Sequence, residues 1–343
     1  MRFCALLLLA FLSSLAAPAL ATTITVDVNG TGDYTDISPA VAASSEGDTI
    51  LVLPGTYTGE DNNSIAGSHT GNFVLLADAS GRLPVIIDGG GTNTAIRVVM
   101  GQDASTIVSG FTIQNGYAQH GGGMQVASSS PTIENCTFLN NHAWSKGGAV
   151  WISQSSSTIS NCVFRGNSAD NRGGAIYSEL FWNTISGCLF EENVAPTGWV
   201  YGGAMFLQDG AESVLNCTIV RNTPNNVTVY DGNGVDVVNC IIAGATDGVG
   251  ILASPDTGGY VWECILYGNS GGDTPVCLHE DILYEDPRFC NGGLDDFTLC
   301  EDSSGLPGNN AWTVPIGAYG QGCGPCGSPV EDATWGAVKA LFR

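Results

Sequence analysis

In the stretches "NHAWSKGG" (141–148) and "NSADNRGG" (167–174), Lys146 and Arg172 hold the same place twenty-six residues apart, with His142 and Asp170 nearby. Basic groups stand out in a chain with 10 Lys and Arg against 33 Asp and Glu. Stacked beside an acidic sugar, Arg172 could remove a proton in a β-elimination, with Asp170 as metal ligand or acid partner. The plain alternative is a pair of solvated side chains balanced by Asp170. No cofactor is required by these residues, and calcium is the ion such a site would admit.

A second set of residues adjoins the first. Trp151, Tyr177 and Phe206 recur at nearly the same spacing, Gln125 belongs to the same row, and Trp144, Trp199 and Tyr201 lie in the intervening segments. Aromatic faces stack on sugar rings, so such a strip could hold a glycan chain, or it could pack under the neighbouring loops. "DGNGVD" (231–236), with Asp231 and Asp236, has a calcium-like composition. It lacks the acidic residue expected at its fifth position, so it reads as a turn and not a metal site.

What positions these residues is a repeat. "GGGM" (121–124), "GGAV" (147–150), "GGAI" (173–176) and "GGAM" (202–205) form one series; "NCTFLNN" from Asn135, "NCVFRGN" from Asn161, "GCLFEEN" from Gly187 and "NCTIVRN" from Asn216 form another. Weaker copies follow at "NCIIAG" from Asn239 and "ECILYGN" from Glu263. Recurrence at this period means a solenoid. Each unit holds short runs of alternating apolar character separated by Gly, Ser and Asn, which predicts strands joined by bends and therefore one turn of a parallel β-helix per unit. Stacking in register places Val150, Ile176 and Met205 inward on one face, Ile133 and Ile159 on the next, and Phe138, Phe164 and Phe190 on the third. Asn135, Asn161 and Asn239 recur at one bend, and Asn141, Asn167, Asn193 and Asn222 at another, where asparagine tolerates left-handed backbone and its amide can bond the amides above and below.

Cys136, Cys162, Cys188, Cys217, Cys240 and Cys264 share one repeat position. Ligands stacked in a line cannot surround a metal tetrahedrally, and Cβ atoms about 4.8 Å apart exceed the usual disulfide separation, so these are expected to be buried thiols. Cys277, Cys290, Cys300, Cys323 and Cys326 lie outside the ladder, and disulfides are expected among them. The solenoid needs covered ends. Ser38 and Pro39 suit the N-cap and first position of a short capping helix, "DTILVLPGTY" follows as a strand, and the turn-rich region 285–320 is expected to close the other end.

Residues 1–21 combine one positive charge, an apolar stretch and small residues at Ala19 and Ala21, which reads as a secretory signal. Residues 22–322 would form the β-helix, with an N-terminal cap over about 22–60, regular repeats over about 105–270 and irregular cysteine-containing turns over about 271–322. Residues 323–343 would be a linker and short tail whose Trp335, Val338 and Phe342 have helical spacing. The formal net charge of −23 repels nucleic acid and anionic lipid. No other segment is apolar and long enough for a transmembrane helix.

The paired motifs at Gly173 to Ile176 and Phe164 to Asn167 resemble the repeat of the polymorphic outer-membrane proteins and, more broadly, right-handed parallel β-helix proteins, over about residues 105–270. "GTGDYTDISPAVAASSEGDTILVLPGTY" is similar to the N-terminal turns of pectinesterases and other pectin-lyase-like exported proteins, which carries the resemblance back to about residue 23. It implies an all-β, single-stranded right-handed parallel β-helix. Polymorphic outer-membrane proteins end in a membrane barrel, and nothing after residue 270 is long enough for one. "TWGAVKALFR" looks like short tails of exported bacterial β-helix proteins, which implies attachment to the envelope. The clustered motifs of pectinesterases and polygalacturonases are absent, whereas a pectate lyase set is too diffuse to recognise in a sequence.

The expected function is that of a non-catalytic protein, secreted or held at the cell surface or outer membrane, whose lateral face binds a polysaccharide, a cell-surface glycan or another macromolecule. The alternative is a polysaccharide lyase or glycoside hydrolase using the row around Arg172.

Overall fold

The computed structural model describes residues 21–326, apart from 63, 67–68, 81–82, 197–200, 232–233, 255–257 and 274–277. The signal reading, the tail from 327 onward, Trp199 and Cys277 therefore lie outside the described residues. Among the described residues no helix is long and apolar enough to cross a membrane.

The chain winds into a right-handed parallel β-helix with one short helix near its start. Runs such as "TIS" at Thr158–Ser160 and Thr184–Ser186 are three-residue strands whose central Ile points inward. β-branched residues flanked by serines fit a half-buried pleat, and turn residues after every few positions prevent longer strands. Three faces result. On the isoleucine face, Val108, Ile133, Ile159, Ile185, Val214 and Val237 pair successively in register. The phenylalanine face stacks Phe138, Phe164 and Phe190 with ring centroids 4.9 and 4.6 Å apart and nearly parallel planes. On the valine face, Met124, Val150, Ile176 and Met205 are in register. All these inward side chains are buried, as the repeat predicts.

The two asparagine series have different jobs. Asn135, Asn161 and Asn239 take left-handed backbone, with φ of 54°, 51° and 53°, and turn the corner between the isoleucine and phenylalanine faces. Asn141, Asn167, Asn193 and Asn222 are fully buried and form a ladder: the Oδ1 of Asn167, Asn193 and Asn222 each accepts from the backbone N–H and side-chain amide of the asparagine before it, and Asn141 Oδ1 accepts from the Gly116 N–H. The glycine pairs divide their work similarly. Gly147 and Gly173 adopt φ of 66°, while a Cβ on Gly148 would lie 2.1 Å from the Gly174 carbonyl oxygen, so that position admits no side chain.

The six ladder cysteines are free and buried. Along most of the series a backbone N–H donates to the next thiol sulfur at 3.3–3.4 Å; the contact with Cys162, then burial, pushes the Cys136 thiol well up, and burial first of all does so for Cys162, Cys188, Cys217 and Cys240.

The ends depart from expectation in two respects. The helix spans Ile37–Ala43 and its N-cap is Asp36, so Ser38 and Pro39 lie inside the first turn. Asn62 explains the shift: its Oδ1 accepts from the Ile37 N–H at 2.8 Å and its amide donates to Asp36. "DTILVLPGTY" is two strands, Thr49–Val52 and Gly55–Tyr57, broken at the corner containing Pro54. Region 285–320 folds back along the outside of the phenylalanine face, where Phe297, Leu299, Leu306 and Ile316 pack on Leu189, Val220, Ile241, Ala243 and Ile265. Those outward positions are apolar and would otherwise face water, which is the physical reason for lateral docking. Disulfides Cys290–Cys323 and Cys300–Cys326 hold this module together and draw residues 323–326 into it.

Beneath the bend after the valine face, Glu212 is fully buried; its Oε1 accepts from Ser178 Oγ at 2.7 Å and its Oε2 has no hydrogen-bond partner. Burial pushes its carboxyl from 4.5 up to about 7. The folded state therefore binds this proton more tightly than the unfolded chain, so the carboxyl's contribution is intact below pH 4.5 and is lost as pH rises to about 7. Relative to Glu212→Gln, the wild-type chain is expected to lose about 3 kcal/mol between those limits. Denaturant unfolding of both proteins at pH 4.5 and 8 checks this; a pH-independent difference would refute it.

Candidate functional site

The loops that enter the valine face carry the residues singled out by their chemistry. A small parallel sheet, Tyr117–His120, His142–Lys146 and Ser168–Ala169, lies beside that face, and Lys146 pairs with Arg172 in the next turn as the spacing requires. His142 Nε2 lies 3.6 Å from Asp170 Oδ2, its Nδ1 faces Ser168 Oγ at 2.8 Å, and its ring stacks on Tyr117. The expected neighbours thus meet.

Their availability is another matter. Lys146 Nζ donates to Tyr177 Oη at 2.7 Å, lies 3.4 Å from Glu179 Oε2 and sits over the Tyr177 ring. The Arg172 guanidinium lies over the Phe206 ring at 4.8 Å, and its Nη1 donates to Gln208 Oε1 at 3.3 Å. A charge stacked on one ring and bonded to a neighbouring amide is committed to packing. The same contacts cover part of the aromatic strip. Tyr177 and Phe206 point outward from the helix but are fully buried under Lys146 and Arg172, and Trp151 is half-buried with its ring against His120. Side chains long enough to cover a ring lie one loop away, so the rings gain burial by being roofed. Burial, then the bond to Glu179, pushes the Tyr177 phenol well up, while burial, then Lys146, lowers the His120 imidazole. Tyr201 is half-buried. Asp231 is exposed at a left-handed bend, and Asp236 Oδ1 accepts from the Tyr260 N–H at 3.3 Å.

Trp144 alone of the described aromatics named from sequence is exposed, at 47%, and it leads to a cleft that the repeat did not reveal. About 390 Å³ in volume, the cleft is lined by Asn93, Arg97, Tyr117, Gln119, Gln125 and Trp144, among others. Tyr117, 43% exposed, supplies a second ring. Arg97 is in register with Gln125 and so occupies the row that continues to Trp151, Tyr177 and Phe206. It is half-buried, its Nε has no hydrogen-bond partner, and it has no ion pair among the described residues. "TAIRV" (94–98) carries the alternation of the repeat, but it lacks the glycine pair by which the other copies are recognised.

The geometry of stacked turns has its counterpart in sequence. A family model described as a right handed beta helix region matches residues 28–179 and, in a second overlapping match, residues 94–274. The chain belongs to the right-handed β-helix family. Both candidate rows of this β-helix protein, the stacked cations and the Arg97 cleft, lie within the matched region. No curated protein matches it. Among solved structures it is similar to the crystal structure of pectate lyase Pel9A, at 12% identity and a TM-score of 0.47, covering 89% of this chain and 97% of that one.

Proposed function

We propose that this β-helix protein is an exported, non-catalytic carbohydrate-binding protein that takes a glycan into the cleft between Arg97, Tyr117 and Trp144. The observation that carries this reading is Arg97: a guanidinium without a carboxylate partner among the described residues, set in a cleft lined by two exposed rings, Tyr117 and Trp144. Sugar rings present apolar C–H faces to Tyr117 and Trp144 and hydroxyls to Asn93, Gln119 and Gln125, the mixture of rings and a few polar groups that defines a small-ligand site. Arg97 adds local attraction for an acidic substituent, which the field of a chain with net charge −23 otherwise repels. The committed contacts of Lys146 and Arg172 favour binding over the lyase alternative.

Purified protein run through gels containing uronic or neutral polysaccharides, with and without calcium, is expected to be retained without turnover. Trp144→Ala is expected to weaken retention about tenfold, equivalent to loss of about 1.4 kcal/mol of stacking. Arg97→Gln is expected to weaken retention by uronic polymers more than by neutral ones. Unsaturated or reducing products in the same samples would overturn the reading in favour of a lyase or hydrolase.

A further inference from the structure

At the opposite ends of the valine-face strands, three successive turns present "SSS" (128–130), "QSS" (154–156) and "LFW" (180–182) at one corner. The first two are hydroxyl and amide side chains. The third is apolar and projects into solvent: Leu180, Phe181 and Trp182 are 40, 54 and 70% exposed. Its backbone is unusual as well. Ser128 and Gln154 each take one left-handed residue at this corner, but here Leu180 and Phe181 are left-handed in succession, with φ of 64° and 83°. Bulky residues adopt that region at an energetic cost, and exposed apolar side chains recover none of it by burial. The corner is nonetheless firmly held. The Phe181 carbonyl accepts from the Ala211 N–H at 3.1 Å, and buried Asn183 donates to Ser178, which in turn donates to Glu212. Beside Phe181 runs a shallow groove of about 570 Å³, floored by Gln102, Asp103, Ser128, Ser129, Ser130 and Gln154.

We propose that this corner is a second carbohydrate site, distinct from the Arg97 cleft, which takes an uncharged polysaccharide lying along the solenoid axis. A rigidly presented ring supplies a stacking face at little entropic cost, and a row of hydroxyls and amides matches sugar hydroxyls along the chain. No lysine or arginine lines the groove and Asp103 does, so an acidic polymer is disfavoured. A protein partner fits less well, because a specific interface needs about 800 Å² from each side and the apolar part here is three residues wide.

The test is affinity electrophoresis of the full chain in mixed-linkage β-glucan, xylan and galactomannan, with Phe181→Ala/Trp182→Ala as the variant. At least one of these neutral polymers is expected to retain the wild-type protein. The double variant is expected to lose retention tenfold or more, Trp182→Tyr to keep most of it, and the ligand to shift the fluorescence of wild type but not of Trp182→Tyr. Because both side chains are exposed, the double variant should unfold at the wild-type temperature, and uronic-polymer retention set by Arg97 should be unchanged. Equal retention of variant and wild type, or no neutral polymer retained, would overturn the proposal. So would concentration-dependent dimerisation abolished by the double variant, which would assign the corner to self-association.

Discussion

Asn167→Ala is expected to destabilise the protein by about 5 kcal/mol, an effect far larger than a surface asparagine would give. The Asn167 side chain is fully buried and makes four hydrogen bonds. Its Oδ1 accepts from the Asn141 N–H and the Asn141 amide, both at 3.0 Å, and its Nδ2 donates to the Phe138 carbonyl at 3.0 Å and to Asn193 Oδ1 at 2.9 Å. Alanine takes this partner from the Asn141 N–H and the Phe138 carbonyl and removes one bond each from the Asn141 amide, which keeps the Ile113 carbonyl, and from Asn193 Oδ1, which keeps the backbone N–H of residue 167. Each buried orphan costs about 1–3 kcal/mol, and partners that polarise one another along a ladder lose more than isolated ones. Guanidinium unfolding measures the effect against Ser156→Ala at an exposed bend, expected to lie within about 0.5 kcal/mol of wild type. A loss below about 1.5 kcal/mol for Asn167→Ala would show that the corner closes around the gap.

Glu191→Ala is expected to cost about 3–5 kcal/mol and to loosen the C-terminal module. Glu191 lies on an outward position but is buried, because the module folds over it. Its Oε2 accepts from Arg165 Nε at 2.8 Å and Nη2 at 2.7 Å, and its Oε1 pairs with Arg221. The same two arginines reach into the module: Arg165 lies 3.5 Å from Asp295, and Arg221 donates to Asp295 at 3.1 Å and to the Gly292 carbonyl at 2.6 Å while lying over the Phe297 ring. Removing Glu191 takes the buried carboxylate from two guanidinium groups that also reach the half-exposed Asp295, and taking away one partner of a buried network costs more than the network contributes. Denaturation midpoints give the stability change. Hydrogen exchange gives its location, with faster exchange expected in Phe289–Asn291 and Asp296–Cys300. Unchanged exchange there would mean that the disulfides and the apolar contacts alone seat the module.

The sequence by itself determined the architecture of the repeats. Identical residues recurring at one period must stack, so the inward ladders from Met124 to Met205, the phenylalanine stack and the free cysteines follow from spacing and alternation alone. Spacing also placed Lys146 above Arg172 and His142 beside Asp170. Period says which residues are neighbours and which way they point, but not what covers them. Only tertiary structure showed that Tyr177 and Phe206 are roofed by the cations meant to act beside them, because the loops that carry Lys146 and Arg172 fold over the face. Lateral docking of the C-terminal module likewise depends on contacts between distant positions such as Arg221 and Asp295, which no local pattern encodes. The Arg97 cleft and the Leu180–Phe181–Trp182 corner escaped for the opposite reason. Both are where the repeat is broken, and a reading built on recurrence passes over the residues that do not recur.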